Sequence, residues 1–89
     1  MPIGTFLKSK RQNAHLTQQE AAELLGYDKP QFLSNIERGK RTPPCDLLKR
    51  MCSLYHVDEN EMLEQYIETR KRRATLSAIK IWDKAGDQK

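Results

Sequence analysis

Residues 16–43 of the chain, LTQQEAAELLGYDKPQFLSNIERGKRTP, predict two short helices joined by a tight turn. Thr17 and Glu20 have the spacing of a capping box, in which each side chain accepts the other residue's backbone N–H at a helix start. Gly26 can end this first helix because glycine adopts a left-handed backbone at little steric cost. Pro30 is tolerated in the first turn of the second helix, since its missing N–H would have no partner there.

Apolar residues at helical spacing extend this prediction to the whole chain. Five helices are expected, at about residues 3–13, 17–25, 29–38, 44–55 and 59–73, the last capped by Asp58. The apolar face of the second would consist of Ala21, Ala22, Leu24 and Leu25. That of the fourth would consist of Cys45, Leu48, Met51, Cys52 and Tyr55, and that of the fifth of Met62, Leu63, Tyr66 and Ile67. The segment TLSAIKIW (75–82) suits a helix by spacing and a strand by composition, and its periodicity does not decide between them.

Composition and charge favour one small domain with a polyanionic partner. The 89 residues carry a net charge of +4 and 37% hydrophobic residues. The positive excess lies in residues 1–57, with nine Lys/Arg against five Asp/Glu, whereas residues 58–89 hold seven of each sign. Neither a secretion signal nor a membrane span is predicted. The two cysteines, seven residues apart on one helix, are too distant to form a disulfide, so we expect a reducing, cytoplasmic setting.

Two short helices, a glycine turn and basic residues after the second helix are typical of a helix-turn-helix. The pattern L-T-Q…A…L-G…S-N-I-E-R-G-K-R…P, within residues 16–43, resembles the Cro/CI-type (Xre) family of DNA-binding regulators. The resemblance covers about residues 3–63 and implies an all-α, five-helix, lambda-repressor-like domain, followed by a C-terminal helical extension. One departure is an additional residue between Gly26 and Glu37, within the segment Tyr27–Pro30. The register at the start of the second helix of the motif is therefore open by one position.

The resemblance assigns the second helix of the motif to the major groove of DNA. Gln31 is the leading candidate for base contact, because an amide can bond bidentately to adenine; Ser34 and Asn35 follow on the same helix. Phe32 would contact a thymine methyl if exposed and no base if buried. The phosphate-binding residues implied by the resemblance are Gln18, Arg38, Lys40 and Arg41. Lys29 would contact a phosphate or nothing.

Other polar residues are better explained by structure than by chemistry. By the resemblance, Arg11 and Glu37 form an ion pair between the first and third helices. Cys45, Cys52, His15 and His56 could be drawn as a zinc set, but the resemblance places Cys52 at a small buried position. We therefore expect no metal, no cofactor and no catalytic residue.

The C-terminal part of the chain is the candidate assembly segment. Residues 1–68 would form the DNA-binding domain and residues 69–89 an extension. Acidic residues at 58–68 and basic residues at 70–73 could pair between two antiparallel copies, with apolar contacts from Tyr66, Ile67, Leu76, Ile79 and Trp82. Two alternatives stay open: the charges complement the helix's own dipole, or Arg70–Arg73 reaches DNA phosphate.

The function expected from these features is binding of double-stranded DNA by a homodimer on a two-fold operator, most simply to repress transcription by occluding a promoter. The alternative is a protein-interaction module, of the antitoxin kind, whose C-terminal tail binds a partner and for which DNA binding is secondary.

Overall fold

Five α-helices make up the computed structural model, which describes residues 2–86. They are α1 (Ile3–Asn13), α2 (Gln18–Leu24), α3 (Gln31–Glu37), α4 (Cys45–Tyr55) and α5 (Glu59–Gly86). No strand occurs within the described residues, so the all-α prediction is confirmed. No helix among them has the length and apolarity to span a membrane.

The turn chemistry predicted around α2 is present. The Thr17 hydroxyl accepts the Glu20 backbone N–H at 3.0 Å, and the Glu20 carboxylate accepts the Thr17 N–H at 3.0 Å. This second hydrogen bond lowers the pKa of Glu20, because it stabilises the ionised carboxylate. Gly26 has a φ of +92°, in the region that favours glycine. The capping box and the glycine turn therefore set both ends of α2.

The core lies where α1, α2, α3, α4 and the first turns of α5 meet. The largest side chains with almost no exposed surface are Leu7, Leu33, Ile36, Leu47 and Met51. α1 approaches α3 closely at Gly4, where a Cβ atom would lie 2.6 Å from the carbonyl oxygens of both Ile36 and Glu37. This contact brings the N-terminus of α1 against the C-terminal turn of α3.

Four residues expected in the core are exposed: Leu24, Cys45 and, on α5, Leu63 and Ile67. Leu24 keeps 64% of its surface, because at about 100° per residue it lies on the flank of the helix face formed by Ala21, Ala22 and Leu25. Cys45 is also exposed. It is the first residue of α4 and lies at the edge of that helix's buried stripe.

α5 is longer than predicted. It continues from Glu59 without interruption to Gly86, a helix of 28 residues, and thus spans about 42 Å. The segment at 75–82 is therefore helical, and the predicted end near residue 73 is wrong. Only its first turns pack on the domain: Met62 is buried and Tyr66 partly buried, whereas Leu63 and Ile67 are exposed.

Because α5 is one continuous helix, the five residues expected to form a dimer contact lie on different sides of it. Tyr66 packs against the core of its own chain, and Leu76 lies on the same side of α5, beside α1 and the end of α3. At 100° per residue, Ile67 and Trp82 lie on the opposite side, about 60° apart, and Ile79 falls between Trp82 and Leu76. No single face of a straight helix can present all five residues at once.

Candidate nucleic-acid interface

A buried hydrogen-bonded group holds the two helices of the motif against α1. Arg11 donates to the Glu37 carboxylate from Nε at 2.8 Å and from Nη2 at 3.1 Å. Gln18 donates from Nε2 to the same carboxylate at 3.0 Å, and Arg11 Nη1 donates to the Leu16 carbonyl at 2.7 Å. The predicted Arg11–Glu37 pair is confirmed. The hydrogen bond with Glu37 raises the pKa of Arg11 against the opposing effect of burial.

This network fixes the angle between α2 and α3, because one carboxylate at the end of α3 binds side chains from α1 and the first turn of α2. It also defines the position of Gln18. Its amide N–H binds Glu37, so the side chain is held at the start of α2, where that helix's unpaired N–H groups lie. Gln18 is thereby placed beside a helix terminus that favours anions.

The first turn of α3 presents an amide pair to solvent. Gln31 is exposed and Asn35 partly exposed, and Gln31 Nε2 donates to Asn35 Oδ1 at 3.2 Å. Gln31 therefore retains its carbonyl oxygen and one N–H for an outside partner. An acceptor and a donor on one amide are the groups that adenine requires in the major groove. Ser34, between them in sequence, is partly buried.

Phe32 is neither fully exposed nor in the core. Its ring stacks on Tyr27 with centroids 4.6 Å apart and an interplanar angle of 22°. The Arg41 guanidinium also contacts this ring, with its central carbon 4.9 Å from the Phe32 centroid. The segment that contains the additional residue before Pro30 thus supplies an aromatic ring. Through Phe32 that ring supports the basic loop after α3.

The basic candidates lie around the ends of α3. Lys29 is exposed in the turn before it, Arg38 caps its C-terminus, and Lys40 and Arg41 are exposed in the following loop. Gly39, with a φ of +78°, turns the chain into that loop. None of these four cations belongs to a salt bridge among residues 2–86. Their charges are therefore available to an anion that approaches α3.

Some contributors to this surface carry no clear mark in the sequence. Tyr27 and Phe32 are five residues apart across a proline, and helical periodicity does not place residues at that spacing together.

His15 and His56 adopt φ values of +59° and +57°, and His56 is the C-cap of α4. These residues thus form helix ends, and within the described residues no group of three or more His, Cys, Asp or Glu could hold a metal ion.

Fold and surface together define a helix-turn-helix protein, with an exposed polar helix start and free cations on both sides of it. Comparison with known proteins agrees. The family model described as "Helix-turn-helix domain" matches residues 2–65. The chain belongs to this helix-turn-helix family, of the Cro/CI (Xre) type.

Curated relatives are named for regulation. The chain is 38% identical over 76 residues to the HTH-type transcriptional regulator ImmR of Bacillus subtilis, which covers 85% of this chain and 59% of ImmR. It is 38% identical over 58 residues to the ImmF control region 10 kDa protein of Bacillus phage phi105, with 65% and 63% covered. The chain thus spans about three-fifths of each of these relatives. No solved structure matches it significantly.

Proposed function

We propose that the protein binds double-stranded DNA with sequence preference, as a homodimer on a two-fold operator, and represses transcription by occluding a promoter. The observation that carries this proposal is the hydrogen-bonded amide pair of Gln31 and Asn35 on α3, flanked by cations that form no salt bridge within residues 2–86. A neutral hydrogen-bonding edge suits base contact, and the surrounding charges suit the phosphates on either side of a groove.

Base preference would come from α3. Gln31 would bond to adenine through its free carbonyl oxygen and N–H, and Asn35 would fix the orientation of the Gln31 amide. Ser34 would make an additional contact from the same helix. Phe32 is partly buried, with Tyr27 stacked on its ring and the Arg41 guanidinium over it, and would contact a thymine methyl only through the part of the ring that these leave exposed.

Phosphate binding would come from both ends of the motif. Gln18 would act together with the N-terminus of α2. The cations Lys29, Arg38, Lys40 and Arg41 would contact the backbone around the groove, with Arg41 oriented by the Phe32 ring. Such contacts set register and affinity without selecting a base.

Dimerisation through α5 follows from its exposed apolar residues. Leu63, Ile67, Ile81 and Trp82 expose between 42% and 80% of their surface. They lie within about 100° on one side of the helix, away from the face that packs on the domain. This set replaces the one expected from the sequence, of which Ile67 and Trp82 remain.

Repression suits a regulator of this kind because a protein bound across a promoter excludes polymerase. The relatives point the same way by name, since one is a transcriptional regulator and another belongs to a phage control region.

The experiment is selection of a preferred duplex from a random-sequence pool, followed by affinity measurements at several salt concentrations. Gln31→Ala is expected to cost about 1–3 kcal/mol on the selected duplex and nothing on a random one. Arg41→Ala should weaken both equally and reduce the salt dependence. Lys49→Ala, an exposed lysine in the cleft between α4 and α5, is the matched control and should bind like the wild type. Full affinity in both Gln31→Ala and Arg41→Ala would contradict the proposed surface.

A further inference from the structure

The basic middle of α5, residues Arg70, Lys71, Arg72 and Arg73, lies beside the loop that follows α3. Arg72 and Arg73 line one cleft, of about 210 Å³, together with Gly39 and Arg41. Arg70 and Arg73 line a second cleft with Thr42. Residues far apart in the sequence are thus neighbours: the cations of α5 continue the surface formed by the cations of the loop.

The charges of this surface are not neutralised within the described chain. The four basic residues at 70–73 are all exposed, and none of them belongs to a salt bridge among residues 2–86. One acid, Glu68, lines the first cleft beside three arginines. The surface keeps a net positive charge next to the loop that holds Arg41.

The helix divides the four cations between two directions. Arg70, Arg72 and Arg73 line the clefts against the loop, whereas Lys71 lines neither. At about 100° of helix rotation per residue, Lys71 lies on the side of α5 that is opposite to the side shared by Arg72 and Arg73. A surface for one partner would therefore use the three arginines and not the lysine.

We propose that Arg70, Arg72 and Arg73 of α5 form a second phosphate-binding site for the DNA backbone, continuous with Arg41 and lengthening the contact beyond the helix-turn-helix. The inference rests on the proposed DNA binding and deepens it. Guanidinium groups suit this role because each presents several N–H donors to phosphate oxygens. The site has no base specificity and adds affinity on any duplex.

The test compares wild type with the double variant Arg72→Ala/Arg73→Ala, on the selected duplex and on a mixed-sequence duplex of about 30 base pairs. Each phosphate that the variant no longer neutralises should reduce the slope of log K against log salt by about 0.9. Two fewer neutralised phosphates per protomer are four per dimer, and they predict a slope smaller by about 3.6. Between about 50 and 200 mM salt, the wild-type dimer should then lose about 150-fold more affinity than the variant.

Two control variants distinguish a site of defined position from a general effect of charge. Lys71→Ala removes a charge from the same segment on the other side of the helix and should leave the slope unchanged. Arg72→Lys/Arg73→Lys keeps the charges and should restore most of the slope. Ethylation interference should show phosphates that matter for the wild type and not for Arg72→Ala/Arg73→Ala.

A double variant with the wild-type slope would overturn the inference while leaving the proposed function intact. An equal reduction of the slope in Lys71→Ala would also overturn it, since that result indicates general charge and not a site. The oligomeric state of the double variant is measured by sedimentation. If the double variant is monomeric, the arginines contact acidic residues of the partner protomer and not DNA phosphates, and the inference is overturned. Absence of duplex binding by the wild type would reject the proposed function itself.

Discussion

Removal of the Glu37 carboxylate should strongly destabilise the protein. The Glu37 side chain is 1% exposed and that of Arg11 8% exposed, and Glu37 accepts three hydrogen bonds from Arg11 and Gln18. Glu37→Ala leaves the guanidinium buried with the Leu16 carbonyl as its one remaining partner. Breaking a buried pair by removing one member costs about 3–5 kcal/mol, mostly because the other charge stays uncompensated.

The measurement is urea unfolding at pH 7, followed by circular dichroism. At about 4–8 °C per kcal/mol for a domain of this size, Tm should also fall by at least about 12 °C. The matched control is Glu23→Ala, which removes an exposed carboxylate that accepts a hydrogen bond from Gln19 and should change the free energy of unfolding by less than about 0.5 kcal/mol.

A double variant separates charge burial from packing. Arg11→Met/Glu37→Leu removes both charges and keeps most of the volume, so it should be more stable than Glu37→Ala. The reasoning is refuted if Glu37→Ala is destabilised by less than about 1 kcal/mol. It is also refuted if Arg11→Met/Glu37→Leu is destabilised as much as the single variants Arg11→Met and Glu37→Leu combined.

Three further predictions concern the packing around the motif. Gly4→Ala places a Cβ against two backbone carbonyls of α3 and should lower the free energy of unfolding by about 1–3 kcal/mol in urea; an unchanged midpoint would contradict the close approach. Burial raises the pKa of Tyr55 to about 12, so its contribution to stability is complete below pH 10 and is lost as pH rises from 10 to 12. In Tyr55→Phe, the free energy of unfolding should therefore fall less steeply with pH in that interval. If the free energy of unfolding falls as steeply in Tyr55→Phe as in the wild type, the prediction is wrong. Phe32→Leu removes the ring beneath Arg41 and should weaken duplex binding about two- to fivefold, with Phe32→Tyr as the control that retains affinity.

Local chemistry made much of this fold predictable. The capping box at Thr17, the positive φ at Gly26 and the starts of four helices depend on residues within a few positions of each other, and they occur as expected. The Arg11–Glu37 pair was predictable for a different reason, because it followed from the family resemblance and not from spacing. The length of α5 was not predictable. Its second half has mixed helix and strand composition, and continuity with the first half decides its conformation.

The sequence by itself determined that this is a helix-turn-helix protein, because its caps, glycine turn and apolar spacing are local properties of the chain. Which side chains share a surface was decided only by tertiary structure. Packing of α1 and α5 against the end of α3 sets Arg41 beside Arg72 and Arg73, and the stack of Tyr27, Phe32 and Arg41 joins the turn before α3 to the loop after it. Such neighbours lie across gaps of many residues, where periodicity carries no information about distance.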